Sequence, residues 1–310
     1  MRIALASSST VAIPILNWLL KKGFAPTIIT APDKPTGRGQ ILSANDFAIH
    51  CQNLGISPLK PATDEELNSL ITSEEVELVV TVAYGKLIKK QQLTLPKYGW
   101  INVHFSLLPR WRGAAPVQFA LLSGDEITGI TVFQLEEGMD TGPIYSQDEF
   151  PIPTHSTSGN VLEKLSEKAV FTLEKALEKI ALDVPPTPQA TKGVTYAPKI
   201  TKLQGKIDWS QSAENIVRHI HAFNPWPLGW TTLEGKRFVI TSAQIANLEE
   251  SFADTRKPNI GEIYVKERIY VACSDGFIEL LRVKPEGKRE MSSVEWLRGI
   301  HNSVAIQLGT

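Results

Sequence analysis

The chain predicts an α/β fold in two parts: a doubly wound, mostly parallel sheet first, then a smaller β-rich domain. Three observations predict it. Apolar runs rich in Val, Ile and Leu alternate with helix-period segments through the first half. Strands of that kind belong to sheets covered on both faces. The composition then breaks at residues 183–202, DVPPTPQATKGVTYAPKITK, which hold four prolines and no apolar period. Beyond the break, short β-type runs follow one another closely, as in a small barrel or sandwich.

Strands are expected at residues 3–6, 26–30, 78–82, 100–103 and 129–134. Helices are expected at 12–22, 45–53, 64–70, 117–123 and 158–181. The last is expected to keep Val161, Leu162, Leu165, Ala169, Phe171, Leu173 and Leu177 on one stripe. Residues 31–42, APDKPTGRGQIL, carry Pro32, Pro35, Gly37 and Gly39, which exclude regular structure and predict a loop. The proline-rich break reads as an extended linker. After it come one helix, 213–223, and β runs at 231–233, 237–246, 261–265, 269–272 and 278–283.

Composition narrows the class. A chain of 310 residues suits two domains, and 42% hydrophobic with 21% charged residues is ordinary for a globular protein. The formal net charge is −1, so a nucleic-acid partner must be met by a local patch. Cys51 and Cys273 are far apart and outside any Cys-x-x-Cys pattern, which predicts neither a zinc site nor a disulfide framework. The start reads as a buried strand, a turn and an amphipathic helix rather than a signal peptide. No run reaches the roughly 18 apolar residues of a membrane span, so no membrane partner and a cytoplasmic location are expected.

Chemistry concentrates in residues 101–116, INVHFSLLPRWRGAAP, and in the turn GMDTG at 138–142. On a strand, Asn102 and His104 share one face, while Ile101, Val103 and Phe105 share the other. Asp140 sits between glycines on a turn that can aim a carboxylate. An amide donor, an imidazole and a carboxylate are the parts needed to form and collapse a carbonyl adduct. The following loop lies at a strand's carboxyl end, where ligands bind in such sheets. Lys34 and Arg38 are cations on an arm suited to phosphates.

The pattern N-x-H-x-S-L-L-P-x-x-x-G-x-x-P followed by D-T-G resembles the signature of enzymes that transfer or remove the formyl group of 10-formyltetrahydrofolate. Within them it is most similar to the methionyl-tRNA formyltransferase family. APDKPTGRG at 31–39, VAYGKLI at 82–88, KIDWS at 206–210, FNPWP at 223–227 and GKREMSSVEWLRG at 287–299 resemble further segments of that family, in order.

The resemblance implies a Rossmann-like catalytic domain over 1–183, a linker over 184–204 and an oligonucleotide-binding-type (OB-like) barrel over 205–310 that adds tRNA surface. It implies 10-formyltetrahydrofolate as co-substrate, no metal, and methionyl initiator tRNA as acceptor and partner of a monomer. Asn102 would hold the formyl oxygen. His104 would stabilise the oxyanion and help protonate the departing folate nitrogen. Asp140 would orient His104 and accept the amine proton through a water. Tyr84, Gly85, Leu87, Ser106, Leu107, Leu108 and Pro109 would form the folate site. Lys34, Arg38, Arg112 and Lys206 would meet tRNA.

The sequence departs from the family pattern at two places. Gln40 and Ile41 replace a basic pair, and Ser8-Ser9-Thr10-Val11-Ala12 replaces a Gly-Thr-Pro-x-Phe turn. An amino-sugar N-formyltransferase would use the same triad and donor without needing the 31–42 segment. A formyltetrahydrofolate hydrolase fits the C-terminal half poorly. A catalytically dead binding module has no need of all three polar groups.

Overall fold

The computed structural model describes residues 1–36, 40–246, 259–299 and 307–309. It divides into two compact units: Met1–Pro116 with Ile127–Pro151 and Leu162–Ala197, and Val117–Glu126 with Ile152–Val161 and Pro198–Thr310.

The first unit opens with strand β1 (Ile3–Ser7), helix α1 (Ile13–Lys21) and β2 (Thr27–Ile29). A hairpin of β3 (Lys34–Thr36) and β4 (Ile41–Ser43) leads to α2 (Asp46–Asn53) and α3 (Asp64–Ser73). Then come β5 (Leu78–Val82), α4 (Lys90–Leu93), β6 (Trp100–His104) and β7 (Arg112–Gly113), while α5 (Pro116–Leu122) falls, but for Pro116, in the second unit. β8 (Ile127–Gln134), β9 (Ile144–Pro151), α6 (Ser158–Ala181), which joins the first unit from Leu162 on, and β10 (Tyr196–Ala197) complete the series.

The main sheet has the order β2-β1-β5-β6-β8-β9. Pairings are parallel from β2 to β6 and antiparallel at β6/β8 and β8/β9. The doubly wound, mostly parallel sheet is therefore present, with β9 as an edge strand that the sequence reading did not include. Helix starts are capped locally: Asn45 accepts from the Ala48 N–H, and Thr63 from the Glu66 N–H. One side of the sheet is sealed by Ala4, Ile29, Leu67, Ile71, Val79 and Trp100. Trp100 is wholly buried and its indole donates to the Gln92 carbonyl at 2.7 Å.

Two expectations need correction. Residues 31–42 are not without regular structure. Lys34 pairs Ser43, Pro35 pairs Leu42 and Thr36 pairs Ile41. A two-stranded ribbon leaves one edge of each strand unpaired, so a proline fits where no N–H is demanded. The Thr36 hydroxyl adds a bond to Ser43 Oγ at 2.8 Å. The proline-rich break is extended but not free. Thr187 exchanges backbone bonds with Ile144, and β10 pairs with β7.

The second unit holds α7 (Ala213–Ala222), β11 (Gly229–Leu233), β12 (Lys236–Ile245), β13 (Ile263–Val265) and β14 (Ile269–Ala272). β15 (Phe277–Pro285), β16 (Met291–Ser292) and α8 (Ser293–Arg298) follow. All pairings in the order β11-β12-β15-β14-β13 are antiparallel, with β16 on β15. A register shift in β12 at Ile240–Ala243 bends the sheet. The segment Gln307–Gly309 bridges its two ends: Leu308 N–H donates to Gly261 O beside β13, and Gly309 N–H to Thr232 O on β11, each at 2.8 Å. α7 places Ile216, Val217 and Ile220 in the core so enclosed, with Phe238, Val271, Leu280 and Trp296.

Candidate active site

Strand β6 sits between β5 and β8, and its register builds the site. Asn102 pairs Thr81 of β5, and His104 pairs Thr131 of β8. Period two puts Asn102 and His104 on one face, as expected. His104 is 5% exposed and Asn102 half-buried.

The His104 ring is committed on one side. Nε2 lies 2.9 Å from the Trp111 carbonyl, an acceptor only, so Nε2 carries the proton. Nδ1 then faces Asp140 Oδ2 at 3.8 Å, beyond hydrogen-bond reach. Phe133 packs edge-on against the ring, with centroids 6.3 Å apart. Burial pushes the imidazole below its usual pKa, against the opposing pulls of the Asp140 charge and the Trp111 bond. The ring is thus neutral at pH 7, with its lone pair on Nδ1. The ring is oriented by a backbone carbonyl, where the sequence reading gave that task to Asp140.

Asp140 adopts a left-handed conformation, φ 50°, and its Oδ2 accepts from the Gly113 N–H at 2.7 Å. The Gln189 side-chain amide donates to Asp140 O and Gly142 O, both at 2.8 Å. Asn102 Oδ1 accepts from Thr81 Oγ1 at 2.8 Å, which turns the Asn102 NH₂ away from Thr81.

The loop after β6 is held from beneath. Thr131 Oγ1 donates to Ser106 O at 2.6 Å and accepts from Leu108 N–H and from Gln147 Nε2. That uses all three positions of a hydroxyl. Ser106 is fully buried and its hydroxyl donates to Arg110 O at 2.6 Å. Of the residues expected to meet folate, Ser106, Leu108 and Tyr84 are buried supports. Burial pushes the Tyr84 phenol up to about 12. Leu107 and Pro109 are half-buried, Gly85 is exposed, and Leu87 is 81% exposed. Ser8, in the turn that lacks glycine, accepts from Ala31 N–H at 3.2 Å and donates to Tyr84 O.

The four expected tRNA cations are not equivalent. Lys34 lies exposed on β3. Arg38 falls outside the described residues. Arg112 is half-buried, with Nε and Nη2 donating to Gln189 Oε1 at 3.2 and 2.7 Å. Lys206 is exposed and belongs to the second unit. That unit also contains a cavity of about 620 Å³ beside His155, Arg218 and His221, and none of the candidate residues lines it.

Sequence reasoning missed Thr81, Thr131, Gln147, Gln189 and the Trp111 carbonyl. A Thr inside the apolar runs LVVTV and GITVF was a usable signal for the first two. Nothing in the sequence marks the others.

A family model described as formyl transferase matches residues 1–177, and one described as formyl transferase, C-terminal domain, matches 199–301. A methionyl-tRNA formyltransferase of Acidothermus cellulolyticus is 38% identical over 314 residues, covering 96% of this chain and 97% of that protein. HypX from Aquifex aeolicus, solved with tetrahydrofolic acid, superposes with TM-score 0.65 at 18% identity over 96% of this chain and 47% of its own. A methionyl-tRNA formyltransferase structure from Clostridium thermocellum superposes with TM-score 0.58 at 15% identity over 80% of this chain and 95% of its own. At such identities the superpositions speak to fold. End-to-end likeness in sequence, together with both matched domains, carries the assignment, and the chain belongs to the methionyl-tRNA formyltransferase family.

Proposed function

We propose that this chain transfers the formyl group of 10-formyltetrahydrofolate to the α-amino group of methionyl initiator tRNA for translation initiation, and that Asn102, His104 and Asp140 act on the reacting atoms. The observation that carries the reading is the committed imidazole: Nε2–H is spent on the Trp111 carbonyl, and a free Nδ1 faces a carboxylate.

Each group then has one task. The donor supplies a formyl carbon already activated on a folate nitrogen. The open apolar ground of Leu87, Leu107 and Pro109, with exposed backbone at Gly85, suits a flat heterocycle. Asn102 Nδ2 donates to the formyl oxygen as the amine attacks and negative charge gathers there. His104 Nδ1 takes the proton that the attacking nitrogen must lose. The resulting imidazolium is costly in a buried site, and the Asp140 carboxylate offsets that cost. The same proton is then handed to the folate nitrogen as its bond to the formyl carbon breaks. Nδ1 therefore serves as base and acid in turn. Lys34, Arg38 and Lys206 meet the tRNA phosphates. Arg112, already engaged by Gln189, is set apart from them.

The wider reading is a cytoplasmic monomer with a catalytic domain over 1–183, a connecting segment over 184–204 and a tRNA-contacting domain over 205–310. Among the described residues, no helix is long and apolar enough to cross a membrane.

The test offers the purified chain and 10-formyltetrahydrofolate four acceptors in parallel: Met-charged initiator tRNA, Met-charged elongator tRNA, uncharged tRNA and an amino-sugar nucleotide. Formylation is expected on charged initiator tRNA alone. His104→Ala should lose about 10²–10⁴-fold in kcat, and Asn102→Ala about 10²–10³-fold. Formylation of the sugar would refute the acceptor. Undiminished turnover in His104→Ala would refute the catalytic assignment.

A further inference from the structure

Gln189 lies in the proline-rich segment after α6, in a run without helix or long strand. Its side chain nonetheless makes every hydrogen bond an amide can make. Nε2 donates to Asp140 O and to Gly142 O, each at 2.8 Å. Oε1 accepts from Arg112 Nε at 3.2 Å and from Arg112 Nη2 at 2.7 Å. Two donors and two lone pairs are all used.

The two carbonyls it grips bracket the turn that carries Asp140. That turn has a fault to be held against: Asp140 stands at φ 50°, where L residues are uncommon. Its carboxylate is held separately, by the Gly113 N–H at 2.7 Å. Arg112 and Gly113 are adjacent on β7. One residue of the pair fixes Gln189, the next fixes the Asp140 carboxylate, and β10 pairs with both. The backbone and the side chain of Asp140 are thus referred to the same two-residue strand. All these groups lie within the first unit.

We propose that Gln189 is a positioning residue of the formyl-transfer step: by clamping the Asp140–Gly142 turn to β7 it sets the reach from the Asp140 carboxylate to His104 Nδ1, without touching either substrate. The proposal rests on the reading of His104 and Asp140 as the groups that handle the proton. The starting separation is 3.8 Å, so there is little slack: further drift of the carboxylate removes the charge that the imidazolium needs. The tether also explains why Arg112 is turned inward rather than towards a phosphate.

The two halves of the amide separate by substitution. Gln189→Glu keeps an acceptor for Arg112 and strengthens that pairing, but has no N–H for the two carbonyls. Gln189→Ala removes both halves. If clamping the turn is the role, both variants lose kcat by about 10- to 100-fold, the cost of misplacing a catalytic group by around an ångström. KM for Met-tRNA and for the donor should stay within about threefold, because uniform binding is untouched. The acid limb of kcat/KM should move to lower pH, since a retracted carboxylate no longer favours protonated His104. A merely structural residue would not move that limb.

Retained kcat in Gln189→Glu overturns the proposal and leaves Gln189 as a partner for Arg112. So does a lowered kcat with an unmoved acid limb. Should Gln189→Ala fold poorly, Gln189→Glu decides alone. His104→Ala is assayed beside them. If it is dead while Gln189→Glu matches wild type, only the positioning role fails. If it is active, the catalytic reading itself fails.

Discussion

At the scale of single residues, the site turns on where one hydroxyl proton goes. Thr81 Oγ1 lies 2.8 Å from Asn102 Oδ1 and 3.1 Å from Ile101 O, and it has one proton for two acceptors. Given to Asn102, the proton pins Oδ1 and turns the NH₂ away from Thr81, as the proposed contact with the formyl oxygen requires. Given to Ile101, it would favour the turned-over amide, with Oδ1 where the proposed contact needs a donor. Thr81 is 4% exposed, so water does not arbitrate. Thr81→Val keeps the shape and removes the proton. It should lower kcat by about 10-fold, a fraction of the roughly 2.7–4 kcal/mol that one oxyanion donor contributes, and Thr81→Ser should restore it. Steady-state kinetics with unchanged KM checks this. A Thr81→Val enzyme with wild-type kcat would mean that Asn102 is held by other means. The shared face of Asn102 and His104 was legible because side-chain alternation is a property of the strand itself. Thr81 stood out as a polar residue in an apolar run, but its pairing with Asn102 did not, because which residue of β5 stands beside Asn102 is a matter of register, and register is not written locally. The Trp111 carbonyl leaves no mark at all, since every residue carries one.

At the scale of elements, the strap from Thr187 to Ala197 joins parts that the sequence kept separate. Besides Gln189, Thr195 accepts from Trp111 N–H through its hydroxyl at 2.8 Å and from Arg112 N–H through its carbonyl at 2.9 Å. Ala197 O accepts from Ala115 N–H at 3.2 Å. The strap therefore fixes the peptide whose carbonyl holds His104. The four prolines of residues 183–202 predicted an extended path correctly. They gave no sign of its pairing, because parallel contact across more than 80 residues leaves no local pattern. β9, IYSQDEFP, was missed for a related reason: an edge strand with polar residues on its open face lacks the continuous apolar run that marks central strands. Gly113 is the critical joint of the strap. It sits at φ 123°, and a Cβ there would lie 2.5 Å from Ala197 O. Gly113→Ala should push β10 off β7 and cost about 2–3 kcal/mol, as strain at a special backbone position does. Gly193→Ala is the control. Its φ of 80° is also positive, but a Cβ there meets nothing within 4 Å. It should cost only the backbone penalty of about 1–2 kcal/mol. Thermal unfolding compares the two, and proteolysis of the strap should speed up in Gly113→Ala alone. Equal behaviour of the variants would show that the β7–β10 contact is not the joint.

At the scale of the whole molecule, buried imidazoles make stability depend on pH in one direction. Burial lowers the proton affinity of His104, of His219 and of His221, each against a backbone carbonyl bond that pulls the other way. The unfolded chain titrates these rings near 6.5. Between that value and the lower folded values, the unfolded state binds more protons than the folded one. Stability therefore rises with pH across this window and is lost as pH falls below about 6.5. His104 belongs to the first unit and His219 and His221 to the second, so acid weakens both. Carboxylates add to the loss only later. Glu290, held below its usual 4.5 by Arg282 and Thr241, contributes stability present above 4.5 and lost as pH falls through its lowered value. Two stages should follow: a level unfolding midpoint above about pH 7, a decline from about pH 6.5 that belongs to histidine, and a steeper one below about pH 4.5. Each kilocalorie lost lowers the midpoint by about 2–4 °C for domains of this size. Calorimetry from pH 8 to 4 measures the profile. His219→Asn and His221→Asn, made together, should flatten the first stage in the second unit while leaving that of the first unit, which His104 governs. A midpoint constant from pH 7 to 5.5 would mean that the three rings gain protons in the folded state as readily as in the unfolded one. The lowering of the His104 pKa by burial, on which the proposed proton transfer leans, would then be absent.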